Sequence, residues 1–387
     1  MERAYLDYYR ERDIIPVHQQ TEDRRGHWRR RTALYRGLGL IPAAFRGARV
    51  LEVGPGSGDN AQVTASFDPA EYVLLDGNPA SIRAINARLD AGDLDRGVCR
   101  VVAGDLHNPP PECPAGGFDI VLAEACLHHQ QDPRAALLAV AALVADGGTL
   151  VLTTSDEVAV LPDLCRRLLR PAIEAAAGGD AEVACELACQ IIDPHLRTLP
   201  ARSRPTRDWV LDTVFHPWLD HWALSIDDAI TTLDDSFDFL GSSPSFMTDW
   251  RWYKQFADSG ERWNDRARAQ WAQFHYASVD WRISNPVPVA EGIDTDTLVT
   301  ACRRLGRLEH QAWHQCSYDA LPEILQTLQV IGDALGRLPG TSGTVAAAAD
   351  ARAGLAAVAA GNLSYPFPQF RHWWGRNMQY LALTRRS

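Results

Sequence analysis

Residues 48–59 read Ala-Arg-Val-Leu-Glu-Val-Gly-Pro-Gly-Ser-Gly-Asp, a short apolar run that breaks into glycines and closes on a carboxylate. The run has the length and β-branched content of a buried strand. A glycine-rich turn between a strand and a helix lets backbone approach a ligand closely, and in doubly wound sheets it lies where the strand order reverses. The dinucleotide spacing GxGxxG would place glycine at position 59, so that a pyrophosphate could rest on the helix N-terminus. Position 59 is instead Asp59, and Glu52 precedes the turn. Carboxylates there repel a pyrophosphate and favour a positively charged ligand.

Working outward, YVLLD (72–76), CRVVA (99–103), FDIVLAE (118–124) and GTLVLTT (148–154) alternate with DNAQVTAS (59–66), PASIRAINARLD (79–90) and DPRAALLAVAALV (132–144). Strands that are apolar almost throughout, separated by helical stretches, indicate a parallel sheet covered on both faces. Before it, residues 1–37 look helical, with Thr21 placed to cap a helix whose first turn carries Glu22 and Asp23. After Ser155 the pattern is helical to about residue 235. FDFLGSS (237–243) is the next strand and MQYLALT (378–384) the last, and the two are expected to form the antiparallel pair that completes the sheet. The segments expected are an N-terminal helical flap (1–40), a ligand-binding core (41–160), a helical segment with the sixth strand (161–243), a helical lid or substrate insertion (244–375) and the last core strand (376–387). Tyr5, Tyr8, Tyr9 and His18 are candidates for the flap.

A formal charge of −11 argues against nucleic acid as the main partner, because phosphate binding needs a basic surface. The cluster Arg24, Arg25, Arg29, Arg30 and Arg31 with Trp28 reads as a solvated helix face, with an anion site as the alternative. No stretch reaches the length of a membrane span and the first residues do not read as a signal peptide, so a cytoplasmic protein without membrane contact is expected. The eight cysteines contain no CxxC pair. Cys185 and Cys189, one helical turn apart, read as core thiols, and reduced cysteines with no metal are expected.

Carboxylates recur at the strand ends. Asp76 closes the second strand, 22 residues beyond Gly54, where it can accept both hydroxyls of a ribose. Asp105 follows the third strand, placed to accept an adenine amino group, and Glu124 closes the fourth.

Taken together, LEVGPGSG, LLDGNP, AGDLHN, FDIVLAEACLHH and ADGGTLVLTT resemble the successive motifs of class I S-adenosylmethionine-dependent methyltransferases, in family order and spacing. The resemblance implies an α/β fold with a Rossmann-like, seven-stranded, mostly parallel sheet. It also implies S-adenosylmethionine as cofactor, with Glu52, Gly54, Gly56 and Gly58 around its methionine moiety, Asp76 on ribose, Asp105 with Leu106 near adenine, and Glu124 nearby. Asp146-Gly147-Gly148 replaces the family's usual proline-glycine-glycine before the fifth strand. Asn108-Pro109-Pro110 resembles a motif of base-modifying methyltransferases, but follows the third strand rather than ending the fourth, so nucleic acid is not expected as substrate.

Methyl transfer is an in-line displacement that requires alignment, exclusion of water and, for a protonated nucleophile, a base. Glu124, His128 and His129 are the candidate catalytic residues. Asp249, Trp250, Trp252 and Tyr253, close behind the sixth strand, are the candidate acceptor contacts. Of the tryptophans concentrated after residue 200, Trp218, Trp222, Trp263, Trp271 and Trp281 could also line a pocket, although packing accounts for most of them. The expected reaction is methyl transfer to an oxygen or nitrogen of a small polar metabolite in a biosynthetic pathway for a natural product or surface glycan. A nucleotide-binding oxidoreductase and a catalytically silent methyltransferase-like scaffold are the alternatives. The oligomeric state stays open, a homodimer included.

Overall fold

Val50, Leu51 and Val53 are buried in a strand that parallel neighbours flank on both sides, which is why its sequence shows no polar alternation. The computed structural model describes residues 7, 8, 15, 23–200, 202, 204–218, 224–256 and 260–387. Tyr5, Tyr9, His18, Thr21, Glu22 and Trp222 lie outside the described residues. In chain order come α1 (Arg24–Gly37), the single turn α2 (Pro42–Phe45), β1 (Arg49–Val53), α3 (Asp59–Ala65), β2 (Glu71–Asp76), α4 (Pro79–Ala91), β3 (Cys99–Ala103), β4 (Phe118–Ala123), α5 (Pro133–Ala141) and β5 (Val144–Thr154). The helix α1 is capped by Asp23, which accepts the Gly26 amide at 2.8 Å, not by Thr21 as its sequence suggested. Asn78 and Asp132 cap α4 and α5 in the same way, each followed by proline at the first helical position.

After β5 the chain forms α6 (Leu161–Arg167), α7 (Arg170–Ala177), α8 (Ala181–Leu196) and α9 (Thr206–Thr213). It then adds α10 (Ile226–Leu233), β6 (Phe237–Ser243) and α11 (Trp263–Phe274). The helices α12 (Asp296–Gln315), α13 (Leu321–Leu335) and α14 (Ser342–Ala359) precede the last strand, β7 (Gln379–Arg385). The seven strands form one sheet in the order β3-β2-β1-β4-β5-β7-β6. All neighbours are parallel except those of β7, which pairs antiparallel with β5 (Leu152 opposite Leu381) and with β6 (Phe239 opposite Leu383). The expected fold class and the antiparallel pair are both found, with β6 at the expected residues and β7 one residue later.

The chain divides into two compact units. The first comprises Met1–Ser155, Ala223–Ala272 and Met378–Ser387; the second comprises Asp156–Trp222 and Gln273–Asn377. These limits differ from the segments read off the sequence: 161–243 is split, and 244–272 belongs with the sheet rather than with an insertion. The reason is α11. Buried Asn264 accepts from the Phe239 amide and donates to the Phe237 carbonyl, both at 2.8 Å, while Trp263 Nε1 donates to the Phe239 carbonyl at 2.8 Å. These bonds occupy backbone groups of the edge strand β6, which would otherwise be open to pairing.

The core of the first unit joins Val50, Leu74, Ile120, Leu122 and Val151 of the sheet to Tyr35, Phe45, Ile85 and Leu89. The second unit has its own core of Leu164, Leu168, Ile192, Leu305, Ile331, Leu355, Phe370 and Trp373. Trp271, Trp313, Trp373 and Trp374 are buried. All eight cysteines are free thiols, Cys185 among the buried ones. Among the described residues no group of His, Cys, Asp and Glu is arranged to hold a metal, and no helix is long and apolar enough to cross a membrane.

Candidate active site

At the C-terminal end of β1 the backbone turns through Gly54, Gly56 and Gly58, all with positive φ (69°, 57° and 75°). Other residues reach this region only with strain. Space is also short: a Cβ on Gly54 would stand 3.2 Å from Cys126 Cβ. Glycine is therefore required here by conformation and by contact. Ile15, in the expected flap, has its Cγ2 4.0 Å from the place of a Gly56 Cβ, and Tyr8 is buried.

Asp59, the residue that departs from the dinucleotide spacing, is neutralised internally. Its Oδ1 accepts Arg88 Nη2 at 2.5 Å and its Oδ2 accepts Ser57 Oγ at 2.6 Å, while Arg88 Nε donates to the Ser57 carbonyl at 2.7 Å. In the sequence reading Asp59 and Glu52 together repel a pyrophosphate; in the structure the Asp59 carboxylate is paired with Arg88 within the turn, so selection for positive charge falls mainly to its neighbours.

Those neighbours are Glu52 and Asp76, both buried. Glu52 accepts a hydrogen bond from the Tyr72 hydroxyl of β2. Burial pushes its carboxyl up to about 7, the charge of Glu124 adding to the effect and the Tyr72 bond opposing it. Asp76 accepts the amides of Asn78 (2.7 Å) and Gly56 (3.3 Å), and burial still pushes its carboxyl up to about 6. Two buried carboxyls with raised pKa values, beside a turn of left-handed glycines, are groups that a cationic and hydroxyl-bearing ligand would satisfy. Asp105 and Leu106 follow β3 and are half-buried. Asp105 Oδ1 accepts the His107 amide at 3.1 Å, which leaves it partly engaged in its own turn. His107 Nε2 meets Gln130 Oε1 at 3.2 Å and Gln130 Nε2 donates to the Cys126 carbonyl at 2.9 Å, which ties the turns after β3 and β4 together.

Beyond β4 the three candidate bases part company. Glu124 is buried and both of its oxygens accept from Arg31, Nη1 to Oε2 at 2.7 Å and Nη2 to Oε1 at 2.5 Å. Both oxygens are occupied by the guanidinium fork, which counts against Glu124 as the proton acceptor. His128 is buried and His129 half-buried, their ring centroids 4.1 Å apart.

The acceptor candidates behind β6 also separate. Asp249 is held by Arg251 (2.7 Å) and Arg266 (3.2 Å), whereas Trp250, Trp252 and Tyr253 are exposed, Trp250 at 93%. Sequence reasoning missed Arg31, Tyr35, Tyr72 and Arg88. A signal for the first two was present: His27, Arg31 and Tyr35 recur every four residues, one face of a helix, and all three are buried. Of the five clustered arginines read as a solvated face, Arg24, Arg25, Arg29 and Arg30 are exposed and Arg31 is not.

Comparison with known proteins points the same way. Residues 22–179 match the model of a family described as a methyltransferase domain. A calmodulin-lysine N-methyltransferase of Arabidopsis thaliana is 32% identical over 88 residues, which are 22% of this chain and 29% of that protein. An uncharacterized methyltransferase of Mycobacterium tuberculosis is 49% identical over 74 residues, 16% of this chain and 38% of that one. The chain thus covers about a third of the length of these relatives. Among solved structures, the YcgJ protein of Bacillus subtilis is similar at 17% identity and a TM-score of 0.32, over 62% of this chain and 82% of that one. The family match is thus to a methyltransferase domain over residues 22–179, the stretch that holds the glycine turn and the carboxylates Glu52, Asp76, Asp105 and Glu124 at the strand ends.

Proposed function

We propose that this protein transfers the methyl group of S-adenosylmethionine to an oxygen or nitrogen of a small polar acceptor in a biosynthetic pathway. The observation that carries the reading is the row of carboxylates Glu52, Asp76 and Asp105 at the ends of β1, β2 and β3 around a left-handed glycine turn, inside the stretch that matches a methyltransferase domain. Glu52 would hold the cofactor's ammonium, Asp76 its ribose hydroxyls, and Asp105 with Leu106 its adenine. Bound there, the cofactor supplies a methyl carbon already activated by a sulfonium. What remains for the chain is to align the acceptor, exclude water and remove a proton. With Glu124 committed to Arg31, His128 and His129 are the proposed proton acceptors, each through a ring nitrogen. Trp250, Trp252 and Tyr253 are the proposed acceptor contacts, on a segment that Asp249 holds in shape through Arg251 and Arg266.

S-adenosylmethionine and S-adenosylhomocysteine should each raise the melting temperature, by the equivalent of ~2.7 kcal/mol at a hundredfold excess over the dissociation constant. NADH should not; a shift with NADH alone refutes the proposal. An amine on a protein is a second reading of the acceptor, favoured by the match to a calmodulin-lysine methyltransferase. Labelled S-adenosylmethionine in a host extract separates the two, since label in small metabolites supports the first and label in protein the second.

A further inference from the structure

A helix that packs on a sheet normally does so through apolar side chains, yet the buried stripe of α1 is His27, Arg31 and Tyr35. Burying a guanidinium is costly, and an apolar contact of the same volume commonly stabilises a fold as well or better. The counter-charge is the fork from Arg31 to both oxygens of Glu124 at the end of β4. Arg31 Nη2 also donates to the Tyr35 hydroxyl at 2.7 Å, and that hydroxyl lies 3.2 Å from Thr64 Oγ1 on α3, the helix that follows the glycine turn.

Glu124 opens a strained turn. Ala125 has φ 56°, a region a residue with a Cβ adopts only under constraint, and its amide donates to Thr153 Oγ1 of β5 at 2.6 Å. Cys126, next in the chain, donates its thiol to the Val53 carbonyl at 3.6 Å and fills the space beside Gly54. A continuous path therefore runs from the guanidinium through the Glu124 turn to the glycine turn. In doubly wound sheets ligands sit at this end of the strands.

We infer that Arg31 is a positioning residue: by fixing Glu124 it sets the turn after β4, and through Cys126 it sets the glycine turn in the geometry that accepts the cofactor. The inference rests on the proposed methyl transfer, and its test separates the two. Calorimetric titration of the full chain with S-adenosylmethionine is carried out on wild type, Arg31→Met, Arg31→Lys and Arg30→Met, well below each melting temperature. Arg30→Met, on the exposed face of the same helix, should bind as wild type does. Arg31→Met should bind at least tenfold more weakly. Arg31→Lys keeps the charge but loses the fork, and should restore part of the affinity. If Arg31→Met does not fold, Arg31→Lys carries the test alone: a loss of more than twofold supports the positioning role, and a loss of twofold or less overturns it. A lowered melting temperature with unchanged affinity likewise leaves Arg31 only a structural part and overturns the inference. Absence of binding by wild type overturns the methyltransferase reading instead.

Discussion

Asp76 and Glu52 make the sharpest predictions at the scale of single residues. Asp76→Ala removes the acceptors proposed for the ribose hydroxyls, and hydrogen bonds to a charged group contribute ~1.5–3 kcal/mol. Affinity for S-adenosylmethionine should fall roughly ten- to a hundredfold, with an unchanged circular dichroism spectrum; unaltered binding would remove Asp76 from the site. For Glu52 the prediction is one of pH. Burial raises its carboxyl from 4.5 to about 7, so the folded protein holds this proton more tightly than the unfolded chain does. The resulting stabilisation is complete below 4.5 and is lost as pH rises through about 7, and Asp76 acts in the same sense between 3.8 and about 6. The ligand-free protein should therefore become less stable from pH 4.5 to 7. Cofactor affinity should strengthen over the same window, because an ammonium needs the ionised carboxylate. Melting curves and titrations across this range check both slopes, and Glu52→Gln should flatten each of them.

At the scale of elements, the glycine turn and the helix α1 respond to the same substitution with opposite signs. Gly54→Ala would place a Cβ in a left-handed conformation and 3.2 Å from Cys126 Cβ. A cost of ~1–3 kcal/mol is expected, with weaker cofactor binding because the turn must shift. Gly37→Ala, in the last turn of α1 with open space around it, should be neutral or stabilising by up to ~1 kcal/mol. Urea denaturation of the two variants compares them directly. Equal effects would mean that the turn is not held in its left-handed form.

For the molecule as a whole, stability depends on polar pairs buried in each unit as well as on apolar cores. In the second unit Arg167 and Glu309 are almost fully buried and 2.8 Å apart, and Arg167 Nη1 also donates to the carbonyls of Thr213 and His216. Glu309→Leu leaves that guanidinium without its counter-charge and should destabilise by ~3–5 kcal/mol. Arg167→Met with Glu309→Leu should recover part of the loss, since neither charge then remains buried. A loss below ~1 kcal/mol in the single variant would show that water reaches the pair.

Much of the first unit is legible in the chain itself. Strands buried on both faces are apolar throughout, glycines mark the turn, and carboxylates recur at strand ends, so β1 to β5 and the positions of Glu52, Asp76 and Asp105 follow from local pattern. The cap of α1 was misplaced because Thr21 and Asp23 are both capping residue types, and only backbone geometry selects between them. What tertiary structure decided is the pairing of charges. The four-residue spacing with His27 and Tyr35 puts Arg31 on one helix face, but nothing local names its partner, because Glu124 lies 93 residues away. Asp59 looks like a free carboxylate until Arg88, 29 residues on, is folded against it. Asn264 places residues 244–272 with the sheet through bonds to β6 that no periodicity announces. Periodicity is a property of neighbouring residues and survives in one dimension, whereas the neutralisation of a buried charge depends on which distant group the fold brings within hydrogen-bond reach.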